Sequence, residues 1–368
     1  MSEKTAMPKV AIVHDWFVGG GAERVVLELH RLYPDAPIFT SYCTDYWRQK
    51  LDNKVVTGWL QNWPFGSLRK FLPILRIWWF THLNFDDYDL VISSSGAEAK
   101  GIKTGDDTIH VNYCHAPTHY YWSRYDQYMS QPGFGRLDPL ARLGLKLLVG
   151  PLRGWDRQAA QRPDYIISNS SYTKNQVEKY YGRESIVIHP PVDIERFEAQ
   201  PARQRLGFVT AGRQTPYKRT DLAVKAANAL KLPLVVIGRG PEHKRLKKLA
   251  GRTVNFFRHV SDEELPERFA QAQAFIFPGV DDFGIVAIEA LAAGTPVIAY
   301  KAGGALDYIT PQTGLFFTEQ SVDSLAKAVK NFKSADFNHG SIQNFAKQFS
   351  KENFRSSFRQ FIEELEPK

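Results

Sequence analysis

A chain of 368 residues is long enough for two ordinary domains, and 43% hydrophobic with 23% charged residues is the balance of a globular enzyme, which excludes a disordered or fibrous protein. A net charge of +8 favours anionic partners: nucleotide phosphates, a lipid pyrophosphate or an acidic membrane surface. Two cysteines, Cys43 and Cys114, exclude a disulfide framework and a cysteine metal site and suit a reducing, cytoplasmic setting.

The polar start MSEKTAMPK has no apolar core, so no signal peptide is expected, and no apolar run reaches the ~18 residues of a membrane span. Lys9 to His14 reads as a buried parallel strand. Gly19-Gly20-Gly21 follows, and Val25, Val26, Leu29 and Leu32 then recur at helical spacing. Strand, glycine loop and helix start together predict free N–H groups that favour an anion, although Arg24 stands where a dinucleotide fingerprint needs its third glycine. Further strands are expected at 37–42, 88–93 and 108–113. The last leads into Cys114-His115-Ala116-Pro117, at the strand end where ligands of open α/β sheets sit. Phe71 to Phe85 is the densest aromatic stretch, readable as a core helix or as a surface that dips into lipid. Leu140 to Trp155 sets Arg142, Lys146 and Arg153 among leucines and reads as one or two amphipathic helices, with Asp138 as cap and a break at Gly150-Pro151. Strands at 164–169 and 185–189 complete the first half, and the polar segment Glu198 to Arg205 is the expected domain boundary, giving 1–197 and 198–368.

The second half restarts the alternation. Strands are expected at 207–211, 233–237, 254–257, 274–278 and 297–300, with helices at 221–230 and 244–250. The first of these strands leads into the basic turn Gly212 to Arg219. Asp281-Asp282-Phe283-Gly284 opens an apolar helix in which Glu289 stands alone, eight residues after Asp281. If the helix ran through both, the two carboxylates would share a side. A final amphipathic helix is expected over 349–365, capped by Ser350, with Phe354, Phe358 and Phe361 on one side. Two βαβ series predict an α/β protein of two doubly wound domains.

In this second domain Arg213, Lys218 and the helix start at Gly284 are the parts of a diphosphate site, and Glu289 and Asp281 can accept from ribose and sugar hydroxyls. A sugar nucleotide needs each of those contacts. The motifs GRQTPYKRTD, VIGRGPE and DDFGIVAIEALAAGTPVIA, with GGGAERVV, YDLVISSS, YCHAP, IISNSSYTK and HPPVD in the first half, resemble the family 4 glycosyltransferases of the GT-B fold, in their mannosyltransferase-like branch of bacterial polysaccharide and O-antigen assembly. The similarity runs over nearly the whole chain. It implies two Rossmann-like domains facing a central cleft, acceptor-binding first and donor-binding second, with the last helix, about 350–365, packing back on the first domain.

The resemblance also implies roles. Arg213 and Lys218 would bind the donor diphosphate, and the backbone at Phe283, Gly284, Ile285 and Val286 would face phosphate and ribose. Glu289 would hold the ribose, Asp281 the sugar, and His259 and Val260 the base through main chain. Gly20 and Gly21 would lie near the phosphate, and His115 would face the transferred sugar. The implied catalytic set is His115, Asp281, Arg213 and Lys218, in a metal-independent reaction that retains anomeric configuration and needs no cofactor. The family has two glutamates separated by seven residues; here the first is Asp281, one methylene shorter. The donor suggested by resemblance is GDP-mannose, with UDP-sugars next, and the acceptor a glycan or lipid-linked saccharide. The basic charge and the apolar-basic stretches Phe71 to Phe85 and Leu140 to Trp155 point to an acceptor at the inner face of the membrane with peripheral contact, and core packing accounts for the same residues equally well. Nucleic acid is not expected as a partner, because the basic residues lie in scattered turns and not in one stripe. Two rivals remain: a catalytically weak protein that holds a nucleotide sugar, and a sugar-nucleotide epimerase.

Overall fold

The computed structural model describes residues 8–130, 135–198 and 205–365. Its residues pack as two compact units, one reaching His189 and resuming at Arg355, the other spanning Pro190–Phe354. Most of the segment Glu198 to Arg205, expected as the boundary, lies outside the described residues.

The first unit is built on seven strands among the described residues: β1 (Val10–His14), β2 (Ile38–Thr40), β3 (Val55–Thr57), β4 (Leu90–Ser95), β5 (Ile109–Cys114), β6 (Tyr165–Ser168) and β7 (Ile186–Val187). They pair in parallel in the order β3-β2-β1-β4-β5-β6-β7. β1 and β4 are buried along their whole length, as an apolar run such as VAIVH requires when helices cover both sheet faces. The sheet also buries polar groups and satisfies them. Asn112 Nδ2 donates to Ser93 O, Ser93 Oγ and Ser95 Oγ at 2.9–3.0 Å.

The second unit carries β8 (Phe208–Ala211), β9 (Leu234–Ile237), β10 (Val254–Phe257), β11 (Ala274–Phe277), β12 (Val297–Tyr300) and β13 (Gly314–Phe317), all parallel, in the order β10-β9-β8-β11-β12-β13. Val192, Ile194 and Phe197 pack in its core, where Phe197 stacks on Phe269. β3 and β13 are the two strands not expected from sequence. Both are short edge strands, where pairing to one neighbour decides the conformation more than the residues' own pattern does.

Helices follow the apolar period, with corrections at their ends. The stretch expected to break at Gly150-Pro151 is one helix, Asp138–Ala159, with Pro151 inside it. Its distal part is held by Arg153, which donates to Tyr121 O, and by the buried Asp156, so the lost backbone bond at proline does not end it. Asp138, expected as its cap, lies inside the first turn after Leu137, where its charge still faces the positive helix end. Ser350 caps the final helix, Lys351–Glu363, by accepting from Asn353 N–H at 3.1 Å. From Arg355 on, this helix belongs to the first unit, where Arg355 pairs with the buried Glu28 and Phe361 meets Tyr165 edge-on. The aromatic stretch Phe71 to Phe85 divides its roles: Trp79, Phe80 and Phe85 are buried, whereas Phe71, Ile74 and Trp78 are exposed. Among the described residues, no helix is long and apolar enough to cross a membrane.

Candidate active site

Each sheet reverses its order once, between β1 and β4 in the first unit and between β8 and β11 in the second. The strands on either side of such a switch point send their following loops apart, which leaves a crevice at their carboxyl ends.

In the second unit the chain leaves β8 through Gly212 and the exposed Arg213 and reaches Lys218 at the end of a short 3₁₀ turn, Pro216–Lys218. The chain leaving β11 passes Gly279 and arrives at Asp281, which forms an ion pair with Lys218. Only glycine allows this approach: a Cβ at Gly279 would stand 2.8 Å from Lys218 Cα. The pair occupies one carboxylate oxygen. The other, Asp281 Oδ1, is buried and has no hydrogen-bond partner among the described residues. An unpaired buried carboxylate oxygen is costly, and it marks the point where a hydroxyl or N–H from a ligand would be gained.

The helix Ile285–Ala292 begins next. Gly284 caps it at φ +98°, ψ +54°, and a Cβ there would lie 2.6 Å from Tyr308 Oη and 2.8 Å from the Phe277 ring. Tyr308 is buried, donates to Phe283 O at 2.9 Å, and thereby fixes the turn before the helix. Burial pushes its phenol well above the ordinary value, with the charge of Asp281 adding to the effect, so the hydroxyl remains a donor. Ile285 and Val286 are half-buried in the first turn, and Glu289 is buried one turn on. This corrects the helical-spacing argument for Asp281 and Glu289. Residues 281–284 are a loop that ends in the left-handed region, so only Glu289 is helical. At the far end the helix is closed by Arg205, which donates to Ala293 O at 3.2 Å, and by His339, whose Nδ1 lies 2.7 Å from Gly294 O.

His259 and Val260 follow β10, the edge strand two places from β8; His259 is exposed and Val260 half-buried. Between them and β8 lies the loop after β9, tied down by Gln214. Its amide donates to Gly238 O at 2.9 Å, and its carbonyl lies 2.7 Å from His243 Nδ1.

The remaining expected residues belong to the first unit. His115 follows β5. Its N–H donates to Ser95 O at 2.8 Å, its carbonyl accepts from Asn169 at 2.9 Å, and its Nε2 lies 2.8 Å from Ser94 Oγ. Gly20 and Gly21 precede the helix Ala22–Leu32, but the loop does not keep all its N–H groups for an anion. Glu23, buried, accepts from Gly19 N–H at 2.8 Å and Val18 N–H at 3.3 Å. Asp15 lies beside this loop and was missed from sequence. It accepts from the N–H of Gly96, Ala97 and Ala99 at 2.8–3.0 Å, and burial raises its pKa, with Glu98 adding to the rise and the N–H groups opposing it. An acid one residue beyond a buried strand was the available signal. Tyr308 and Gln214 were missed as well, because they act through bonds to backbone, which no spacing reveals.

Comparison with known proteins supplies the family and the fold. A model of the glycosyl transferases group 1 matches residues 191–353, and one of glycosyltransferase family 4 matches 19–196. A GDP-mannose-dependent alpha-(1-6)-phosphatidylinositol monomannoside mannosyltransferase of Mycobacterium tuberculosis is 34% identical over 205 residues, which is 47% of this chain and 53% of the relative. A D-inositol 3-phosphate glycosyltransferase of Streptomyces avermitilis is 30% identical over 213 residues, 48% of this chain and 46% of the relative. The chain thus spans about half the length of the curated relatives it matches. Among solved structures, Anabaena Alr3699/HepE in complex with UDP and glucose superposes with a TM-score of 0.67 at 18% identity, covering 97% of this chain and 100% of that one, a likeness of fold. Two family models that together reach from residue 19 to 353, on two parallel sheets with Rossmann-like switch points, show that the chain belongs to the family 4 glycosyltransferases of the GT-B fold.

Proposed function

We propose that this chain transfers a hexose, mannose first among the candidates, from a nucleotide-sugar donor to a glycan or lipid-linked acceptor in cell-surface polysaccharide synthesis, without a metal and with retention of configuration. The observation that carries the reading is the second switch point. There Arg213, Lys218 and the helix start at Gly284 offer positive potential, while Asp281 and Glu289 offer buried acceptors. Departure of the nucleoside diphosphate builds negative charge on its oxygens, and each well-placed donor to such charge contributes ~3–4 kcal/mol. Lys218, already beside Asp281, would then be shared between the sugar-holding carboxylate and the phosphates. As the donor bond breaks the sugar becomes oxocarbenium-like. His115 would hydrogen-bond the transferred sugar, and the acceptor hydroxyl would attack from the face the diphosphate leaves, passing its proton to the phosphate. The relatives' names put GDP-mannose ahead of UDP-sugars.

The ion pair itself supports one rival, a protein that holds a nucleotide sugar without turnover, since Lys218 and Asp281 already neutralise each other. The test is calorimetric titration with GDP-mannose, UDP-glucose and their nucleoside diphosphates, followed by a transfer assay with wild type and Asp281→Ala. Binding with product formation that Asp281→Ala abolishes is expected. Binding without product selects the rival, and no binding of any nucleotide sugar refutes both.

A further inference from the structure

The helix Asp138–Ala159 buries side chains only toward its distal end; at its near end Arg142 donates to Ser130 O at 2.9 Å. Leu152, Asp156 and Ala159 are buried in its last turns, whereas Leu140 is 68% exposed, Leu143 54%, Leu147 67% and Leu148 38%, with Leu137 just before it at 52%. Leu140, Leu143 and Leu147 recur at three- and four-residue steps, so they form one continuous stripe. Scattered exposed leucines are ordinary, but a stripe of this kind is the face a helix normally buries. Arg142, Lys146 and Arg157 are exposed along its polar edge. The helix's two acids do not offset them there, since Asp138 is half-buried in the first turn and Asp156 is buried.

We propose that this face docks on the surface of a bilayer that contains anionic lipids, with the leucines in the acyl boundary and Arg142 and Lys146 at the headgroups. An apolar stripe with a basic edge is the composition of an interfacial helix, and the long basic side chains can reach headgroups while their stems stay apolar. The chain's net charge of +8 acts in the same direction. A second copy of the chain fits less well, because pairing two such faces would bring the same basic edges together. The inference extends the lipid-linked acceptor proposed above but does not depend on turnover, and vesicle binding is measured without any donor.

The experiment is co-sedimentation of the full chain with vesicles of phosphatidylcholine, with and without phosphatidylglycerol, at low and high salt. Wild type is expected to partition onto the mixed vesicles and to be released by salt. Leu140→Ser/Leu147→Ser should lower partitioning at least tenfold with unchanged melting temperature and nucleotide-sugar affinity. Arg142→Gln and Lys146→Gln should each lower it about fivefold on mixed vesicles only. Wild type that stays in solution overturns the proposal, as does equal binding to both vesicle types or full binding by the double leucine variant. Sedimentation velocity showing a dimer that the leucine variant dissolves, with no vesicle binding, would assign the face to a second copy.

Discussion

The two sheets of this chain share one strand order, with β7 as an extra edge in the first, and both reverse between the strand that comes first in sequence and the one that crosses back beside it. What fills the crevice differs. In the first unit the protein's own carboxylates close the strand ends: Asp15 on three N–H groups, Glu23 on Gly19. Behind them lie two buried ion pairs, Arg76 with Glu98 at 2.8 Å and Lys100 with Asp156 at 2.7 Å. In the second unit the corresponding ends carry an exposed Arg213, a lysine on one oxygen of Asp281, and a second oxygen with no partner among the described residues. One crevice has its anions built in; the other is arranged to receive one. Topology therefore places a crevice, and the residues following the strands decide whether it becomes structure or site.

The comparison breaks most visibly if the first unit's buried charges are not structural. Asp156 accepts from Thr118 at 2.8 Å, Trp122 at 2.7 Å and Tyr181 at 2.8 Å besides pairing Lys100. Asp156→Ala strands the Lys100 ammonium, and removing one partner of a buried pair costs ~3–5 kcal/mol. The expected result is a fall of that size in urea-unfolding free energy, with calorimetric donor affinity per folded molecule unchanged. Loss of donor affinity without loss of stability would put Asp156 in the site.

Lys218→Met is the counterpart in the second unit. It removes a cation from the proposed diphosphate position, which at ~3 kcal/mol corresponds to a loss of kcat/KM of about a hundredfold. Its effect on melting should be smaller than that of Asp156→Ala, because the Lys218 and Asp281 side chains keep 18% and 11% exposure against 2% and 0% for Lys100 and Asp156. A large drop in melting temperature with normal kinetics would make the second crevice structural, like the first.

Much of this contrast was legible in sequence, and the part that was not has a physical cause. The central strands, the basic turn at Arg213 and Lys218, and the glycine at 284 are local signals: apolar runs, charge, and a residue with unusual backbone freedom. Asp281 and Glu289 were found as residues, and the order of loop then helix was legible, but helical spacing does not relate the two, because the helix begins only after Gly284. The pairing of Lys218 with Asp281, separated by 63 residues, depends on which loops the sheet brings together, which no single stretch encodes. Edge strands β3 and β13 were missed for the same reason.

Glycines sharpen the comparison further. Gly284→Ala forces a side chain into the left-handed region and against Tyr308, at a cost of ~1–3 kcal/mol, and it displaces the first turn that would face phosphate. Gly20→Ala meets only the Glu23 carboxylate, at 3.0 Å and with no positive φ, so it should cost under ~1 kcal/mol. Urea unfolding of the two variants side by side measures the difference, and equal costs would mean that the first glycine loop is as constrained as the second.

The smallest effect concerns the closed end of the site helix. His339 donates from Nδ1 to Gly294 O, and a helix carboxyl end would ordinarily favour its charged form. Burial outweighs this, with the nearby Arg205 also opposing the charge, and its pKa falls below the ordinary 6.5. Below pH 6.5 the unfolded chain takes up this proton before the folded one, so the contribution of His339 is fully present above 6.5 and lost as pH falls through the lowered folded value. Urea midpoints measured from about pH 8 down to about pH 5 should fall over that window in wild type and fall less in His339→Gln, whose amide can still donate to Gly294. A parallel pair of curves would show that the end of this helix tolerates a cation as readily as its beginning is proposed to tolerate an anion.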